Sequence, residues 1–188
     1  MSNRREYEIA FVGLKPGVHQ FEYIVDNSFF EDFGAQDFIL SEGIVKLQLD
    51  KSSSFLMLRF QVGGKAQVNC DRCSNELPLQ LFEDFTVTVK MSEDPDTANE
   101  QEEDPDVYYI SRGESTLDVK TWIYEFISLS IPMQKTCEFE SMDGPYCNAD
   151  ARAILERIRV QQNEPQQNLQ WKGLDKFKNG NEALENTN

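Results

Sequence analysis

Apolar and polar residues alternate with a period of two between positions 44 and 90, which is the pattern of β-strands with one buried face. The apolar positions fall into three runs, which are Val45, Leu47 and Leu49; Leu56, Leu58, Phe60 and Val62; and Leu77, Leu79, Leu81, Phe85, Val87 and Val89. Turn-forming residues predict one chain reversal at Gly63-Gly64 and another at residues 70–75. The pattern therefore predicts an antiparallel meander whose last reversal contains Cys70 and Cys73.

Two short runs of residues with high β-strand propensity precede the meander. Residues 7–12 and 20–25 are separated by Lys15-Pro16-Gly17, which is a turn signal, and together they predict a first hairpin. Residues 27–33 open with capping residues, group three phenylalanines and end before Gly34, which predicts one short helical turn. We expect these phenylalanines to belong to the core.

A strand and two helices follow the meander. Residues 107–110 are β-rich, and residues 115–118 fit a capping box at the start of a helix over 117–131. The apolar stripe of this helix is made of Trp122, Ile123, Phe126 and Ile127. A second helix is predicted over about 149–160. The sequence thus predicts an α+β fold, with a mainly antiparallel, curled or barrel-like β-sheet and two appended helices.

Charge is distributed unevenly along the 188 residues. The net charge is −15, and residues 93–106 hold eight acids and no base, which predicts a mobile, solvated loop. Residues 151–180 instead hold six bases and three acids. We therefore predict a single α+β domain over 1–160 that includes the acidic loop 93–106, followed over 161–188 by a flexible linker and a basic, aromatic tail.

Several classes of protein lack support in the sequence. No apolar stretch approaches 18 residues, and the N-terminal segment meets Glu6 and Glu8 before any apolar region develops, unlike a membrane span or an export signal. The lone His19 lies beside a predicted strand, and Gly-rich phosphate loops, nucleophile elbows and the H-E-x-x-H motif are absent. We expect a cytoplasmic protein that is not an enzyme and takes no small-molecule substrate.

Four cysteines carry the candidate chemistry of the chain. Cys70 and Cys73 form a C-x2-C pair, and Cys137 and Cys147 enclose nine residues that include the turn sequence Asp143-Gly144-Pro145. Zinc takes four thiolate or imidazole ligands in a tetrahedron, so these four cysteines predict one structural zinc site. A redox dithiol, disulfides and plain buried thiols are the alternatives.

The order of these features resembles the YceD family, also called large ribosomal RNA subunit accumulation proteins. The resemblance rests on Cys70-Asp71-Arg72-Cys73 at a strand end, the acid-rich insertion, the helix that runs into Ile131-Pro132 before Cys137, and Trp171-x-x-Leu174-x-x-Phe177. Similar to one branch of the family are Gly13-Leu14-Lys15-x-Gly17, Phe21-Glu22-Tyr23 and Phe29-Phe30. The tail departs from the family pattern Asp-Pro-Arg-Trp-x-x-Leu, because the residues before Trp171 are Asn168-Leu169-Gln170.

The resemblance implies a non-catalytic accessory factor that is needed for accumulation of large-subunit ribosomal RNA. Its predicted partner is a large-subunit precursor, the ribosomal RNA itself or a basic ribosomal protein. The predicted partner-binding residues are Trp171, Lys172, Leu174, Lys176, Phe177 and Arg72. Two other functions stay open: an acidic adaptor that keeps a basic ribosomal protein soluble, and a thiol-redox or metal-handling protein.

Overall fold

The computed structural model describes residues 4–137 and 149–163. The chain divides into two units, Met1–Cys147 and Asn148–Asn188. The strands of the first unit are β1 (Glu8–Ile9), β2 (Gly17–Val25), β3 (Phe38–Lys51), β4 (Phe55–Asn69), β5 (Glu76–Ser92), β6 (Val107–Ser111) and β7 (Leu117–Asp118). Its helices are α1 (Pro95–Gln101), α2 (Lys120–Leu129) and the 3-10 helices Arg4–Tyr7, Phe11–Gly13 and Asn27–Phe33. The second unit contains α3 (Ala149–Asn163).

Five strands form one sheet in the order β2-β3-β4-β5-β6. Neighbours from β2 to β5 are antiparallel, whereas β6 is parallel to β5, with Thr88 opposite Val107 and Ser92 opposite Ser111. The segment that contains α1 makes this parallel pairing possible, because it returns the chain from the end of β5 to the level of Thr88. The predicted α+β class and mainly antiparallel sheet are confirmed. The barrel-like shape was wrong for the described residues, in which β2 and β6 are separate edges and do not close the sheet.

The predicted N-terminal hairpin was also wrong. β1 pairs with β7, with Ile9 opposite Leu117, and β2 pairs instead with β3 over its whole length. Lys51 Nζ donates hydrogen bonds to the carbonyl oxygens of Phe11 and Leu14, both at 2.8 Å. This lysine holds the segment between β1 and β2 against the end of β3, so the segment does not fold back as a tight turn.

The two glycines at positions 63 and 64 do not reverse the chain, because β4 continues through them to Asn69. A Cβ atom added at Gly64 would lie 2.2 Å from the carbonyl oxygen of Glu42, and the φ angle of Gly64 is +159°. The register between β3 and β4 shifts beside this position, between Leu40 and Glu42. A glycine inside a strand can mark a bulge where two backbones approach closely. The predicted turn was wrong because the glycines allow this close approach within β4 and do not end the strand.

The short helix Asn27–Phe33 is confirmed as a 3-10 helix that ends at Gly34. The Asp26 side chain caps its first turn by accepting the Ser28 N–H at 2.9 Å. Phe29 and Phe30 are buried, and the Phe33 ring stacks on Tyr124 of α2 with 4.1 Å between centroids. The aromatic cluster therefore joins this helix to α2, as expected of core phenylalanines.

Helix α2 covers one face of the sheet. Its buried residues are Ile123, Phe126 and Ile127. The Phe126 ring stacks on Phe85 at 4.4 Å and meets Phe60 edge-on at 4.9 Å, which fixes the helix over the middle of β4 and β5. These contacts confirm the predicted apolar stripe.

The start of α2 differs from the prediction of a helix over 117–131. Leu117 and Asp118 pair with β1 as β7, because burial of Leu117 beside Ile9 outweighs the helical alternative. The capping box at 115–118 was therefore wrong. Asp118 Oδ1 instead accepts the backbone N–H of Lys120, the first residue of α2, at 2.8 Å.

The acidic segment 93–106 is not a loop throughout, because α1 occupies its middle. Asp94 caps the helix by accepting the Thr97 N–H at 3.3 Å. The Asn99 side chain accepts the Tyr109 N–H at 2.7 Å and donates to the Tyr109 carbonyl at 2.9 Å, which ties α1 to β6. The hydroxyl of Tyr109 donates to Glu102 at 2.9 Å, and this bond lowers the pKa of that carboxyl. The predicted loop was thus wrong for residues 95–101, which are helical.

Helix α3 confirms the second predicted helix and extends it to Asn163. Its exposed apolar residues are Ile154, Leu155, Ile158 and Val160. The single domain over 1–160 and the linker and tail over 161–188 stay predictions, since residues 164–188 lie outside the described ranges. Among the helices that the structure describes, none combines the length and apolarity needed to cross a membrane.

Candidate metal centre

The first cysteine pair lies at the tip of the β4–β5 hairpin, where the sequence placed it. The Cys70 N–H donates to the carbonyl of Asn75 and the Ser74 N–H donates to the carbonyl of Cys70, both at 2.8 Å. Ser74 has a φ of 56°, in the left-handed region. The two hydrogen bonds close a tight turn that brings the Cys73 side chain back beside Cys70.

Cys137 reaches this turn through a clasp between Asp71 and Lys135. The Asp71 N–H donates to the Lys135 carbonyl at 2.7 Å, and the Lys135 N–H donates to Asp71 Oδ2 at 2.6 Å. The Lys135 ammonium also forms an ion pair with Asp37, just before β3. The clasp therefore fixes the segment before Cys137 to both the hairpin tip and the sheet.

The three sulfur atoms of Cys70, Cys73 and Cys137 lie within 4.8 Å of one another. The Cys73 and Cys137 sulfurs are 3.7 Å apart, well beyond the length of a disulfide bond. Four thiolates at a Zn–S distance of about 2.3 Å in a tetrahedron have sulfur atoms roughly 3.8 Å apart, so the spacing of this pair suits zinc. The donor set is therefore compatible with a zinc-sized ion bound by three thiolates.

Burial and hydrogen bonding act in opposite directions on Cys70. Burial raises the pKa of its thiol, but backbone N–H groups of Arg72, Cys73 and Cys137 stabilise the thiolate, so that the pKa falls from 9.0 to about 6. Cys70 and Cys137 are only 2% and 6% exposed, whereas Cys73 is half-buried. A thiolate that is stabilised and shielded from solvent is a suitable ligand for a structural metal ion.

The structure brings together three of the four predicted ligands. Cys147 lies outside the described residues, so the four-cysteine zinc site stays a prediction. Of the predicted partner-binding residues, Arg72 is exposed in the turn between Cys70 and Cys73. The others, which are Trp171, Lys172, Leu174, Lys176 and Phe177, lie outside the described residues.

Sequence reasoning missed Asp71, Lys135 and Asp37, which position the cysteines. An aspartate inside a C-x2-C turn was visible, but its partner is 64 positions away and is bound mainly through its backbone. Such a contact leaves no side-chain pattern in the sequence. Only the three-dimensional proximity of the hairpin tip and the segment after α2 identifies it.

The fold and the site define an α+β protein with a cysteine cluster that links a long hairpin to the segment after a covering helix. The profile of the family described as large ribosomal RNA subunit accumulation protein YceD matches residues 58–178, which is more than half of the chain. The chain belongs to the YceD family. No curated protein and no solved structure gives a match.

Proposed function

We propose that this protein is a non-catalytic, cytoplasmic accessory factor that supports accumulation of large-subunit ribosomal RNA by binding a large-subunit precursor or its RNA. The family match over residues 58–178 carries the proposal, because it spans the cysteine turn, the clasp and the segment with Trp171. The family description names large-subunit ribosomal RNA accumulation as the role of its members. The described residues contain no recognisable group of catalytic residues that would favour an enzymatic function instead.

The cysteine cluster has a structural role in this proposal. Cys70, Cys73 and Cys137 hold a zinc ion with Cys147 as fourth ligand, and the ion supplies a cross-link between the hairpin tip and the segment after α2. The protein then contains about one zinc per chain, and chelators lower its thermal stability. Elemental analysis of purified protein measures this, and four thiols that titrate freely in the native, metal-free protein would contradict it.

Partner binding is assigned to the tail and to Arg72. Trp171, Leu174 and Phe177 recur at every third position among Lys172 and Lys176, which suits an amphipathic segment that docks on a ribonucleoprotein surface. Aromatic anchors give such a segment contact area, and the lysines provide affinity for phosphate.

Sedimentation of tagged protein with large-subunit precursors tests this function. Deletion of residues 165–188 is expected to abolish co-sedimentation and to leave the melting temperature nearly unchanged. The double substitution Trp171→Ala with Phe177→Ala should act like the deletion, and Gln166→Ala with Gln167→Ala is the matched control in the same segment. Normal levels of large-subunit ribosomal RNA after depletion of the protein would refute the proposal.

A second candidate is an acidic adaptor for a basic ribosomal protein. The net charge of −15, with eight acids in residues 93–106, favours this function because opposite charge speeds encounter and suppresses aggregation of a basic partner. A pull-down that survives ribonuclease treatment and contains one basic protein would select it over direct RNA binding.

A thiol-redox or metal-handling function has less support. The pKa of Cys70 near 6 provides a thiolate, but attack on a disulfide requires access, and this sulfur is buried. Cys73 is the more accessible of the three. Rapid alkylation of native protein at Cys73 that is not slowed by added zinc would favour a redox function.

A further inference from the structure

A groove of about 620 Å³ lies beside β6, at one edge of the sheet. Its walls come from the first turns of α2, from β6 and from the paired strands β1 and β7. The residues that characterise it are Glu8, Tyr108, Glu114, Asp118, Trp122 and Glu125. Within residues 4–137 and 149–163, neither the three clustered cysteines nor Arg72 line this surface.

Two aromatic rings form one wall of the groove. The Tyr108 and Trp122 rings meet edge to face, with 5.4 Å between centroids and 89° between planes. Trp122 also contacts Phe60 edge-on at 6.3 Å, so the core holds it in place. Tyr108 is 45% exposed. The wall therefore presents aromatic surface on a supported scaffold.

The remaining charged lining is negative. Glu8, Glu114, Asp118 and Glu125 are all exposed, and no lysine, arginine or histidine is among the described residues that line the groove. One oxygen of Asp118 accepts the Lys120 N–H. The ammonium of Lys120 is directed elsewhere, to Asp32. Pro105 also lines the groove, and its neighbours in the sequence are two further acids, Asp104 and Asp106.

We propose that this groove binds an arginine- and lysine-rich segment of a protein partner. Carboxylates attract the cationic side chains, and a guanidinium or ammonium group is attracted further when it lies on an aromatic face. The same carboxylates repel the phosphates of a nucleic acid, which makes RNA the wrong partner for this surface.

The partner is held by side-chain contacts and not by addition of a strand to the sheet at Tyr109. Both backbone groups of Tyr109 are already bound by the Asn99 side chain. A segment that lies across the groove instead places its cations against the carboxylates and Tyr108. This arrangement selects a segment by its positive charge and by the spacing of its charges. It does not require one particular sequence.

The groove supplies a binding surface for the second candidate function, and the identity of the natural partner rests on that function. Binding of a basic peptide to the purified protein does not depend on that function being correct. Loss of sedimentation with precursors would count against the proposed function, whereas loss of peptide binding would count against the groove alone.

Titration of full-length protein with fluorescein-labelled deca-arginine tests the proposal by fluorescence anisotropy. Glu114→Gln with Glu125→Gln is expected to weaken binding about tenfold at 0.15 M salt. The matched control is Glu83→Gln with Asp84→Asn, which removes the same charge from exposed positions on β5 and should weaken binding less than twofold. Equal losses in both variants would mean long-range attraction only and would overturn the site.

The aromatic wall has its own control. Tyr108→Leu is expected to weaken binding about threefold, and Tyr108→Phe should restore it, because the ring is retained without the hydroxyl. Tyr108 lies on the exposed edge strand β6, and thermal unfolding verifies that both variants fold. The proposal is overturned if wild-type protein does not bind the peptide, or if labelled decauridylate binds more tightly than the peptide and depends on Glu114 and Glu125.

Discussion

Asp71 and Lys135 exchange two hydrogen bonds across 64 positions of the chain, one at 2.7 Å between backbone groups and one at 2.6 Å from the Lys135 N–H to the Asp71 carboxylate. The pair joins the turn that carries Cys70 and Cys73 to the segment that leads to Cys137. It therefore helps to hold the three sulfur atoms within 4.8 Å of one another.

The clasp is expected to control affinity for zinc. Asp71→Ala removes the acceptor of the Lys135 N–H, and a lost supporting contact of this kind weakens metal binding roughly 10- to 100-fold. Competition with a chromogenic chelator measures the change. Asp71→Asn is the control, since its amide oxygen still accepts the hydrogen bond and should retain most of the affinity. An unchanged affinity in Asp71→Ala would remove the clasp from the metal centre.

Gly64 and Gly63 of β4 provide a matched pair of positions opposite the bulge in β3. Gly64→Ala should destabilise the protein by about 2 to 4 kcal/mol, because its Cβ would lie 2.2 Å from the Glu42 carbonyl oxygen at a φ of +159°. At Gly63 the nearest atom to an added Cβ is the Ile44 oxygen at 3.9 Å, so Gly63→Ala should cost about 1 kcal/mol or less. Urea unfolding of both variants measures the difference, and equal costs would show that the close approach is relaxed in solution.

Lys120 is expected to stabilise the contact between α2 and the helix Asn27–Phe33. Its ammonium pairs with Asp32 and lies 5.5 to 5.9 Å from the ring centroids of Tyr7, Phe29 and Phe33. The Lys120 side chain is 16% exposed, so solvent screens these interactions only in part. Lys120→Met keeps the apolar stem and should cost about 1 to 2 kcal/mol in urea unfolding. Lys120→Arg should recover part of the loss, and no recovery would assign the effect to shape and not to charge.

Tyr23 predicts a loss of stability in alkaline solution. Burial raises its pKa from 10.0 to about 12, with smaller contributions from Tyr7 and Asp118. A group whose pKa is raised by folding contributes stability that is complete below the pKa of the unfolded chain and is lost as the pH rises toward 12. The melting temperature should therefore fall between pH 10 and 12, and it should fall less in Tyr23→Phe. Identical pH profiles for the two proteins would show that other groups dominate.

Strand faces could be predicted from the sequence because burial on a sheet repeats every second residue. The buried positions of β4 and β5, such as Leu58 and Leu79, follow from this local rule, and so does the position of Cys70 at a hairpin tip. The stripe of α2 follows from the helical repeat in the same way.

Long-range pairings could not be predicted by such rules. Glu8 and Ile9 pair with β7, and this pairing buries Ile9 together with Leu117. A strand of two residues has no periodicity that a sequence pattern could show. The parallel pairing of β6 depends on the return of the chain through α1. In the cysteine cluster, the ligand types could be predicted from spacing. The clasp could not, because three of its four donor and acceptor groups are backbone groups.

The pairing of β1 with β7 has a consequence during synthesis of the protein. Glu8 leaves the ribosome 110 residues before its partner Asp118, which corresponds to roughly 5 to 20 s at ordinary elongation rates. During that interval Ile9, which is buried in the folded protein, lacks Leu117, the residue opposite it in β7. Residues 8 and 9 are thus among the last of the described strand residues to complete their pairing, and Ile9 stays without its opposite residue until α2 is about to emerge.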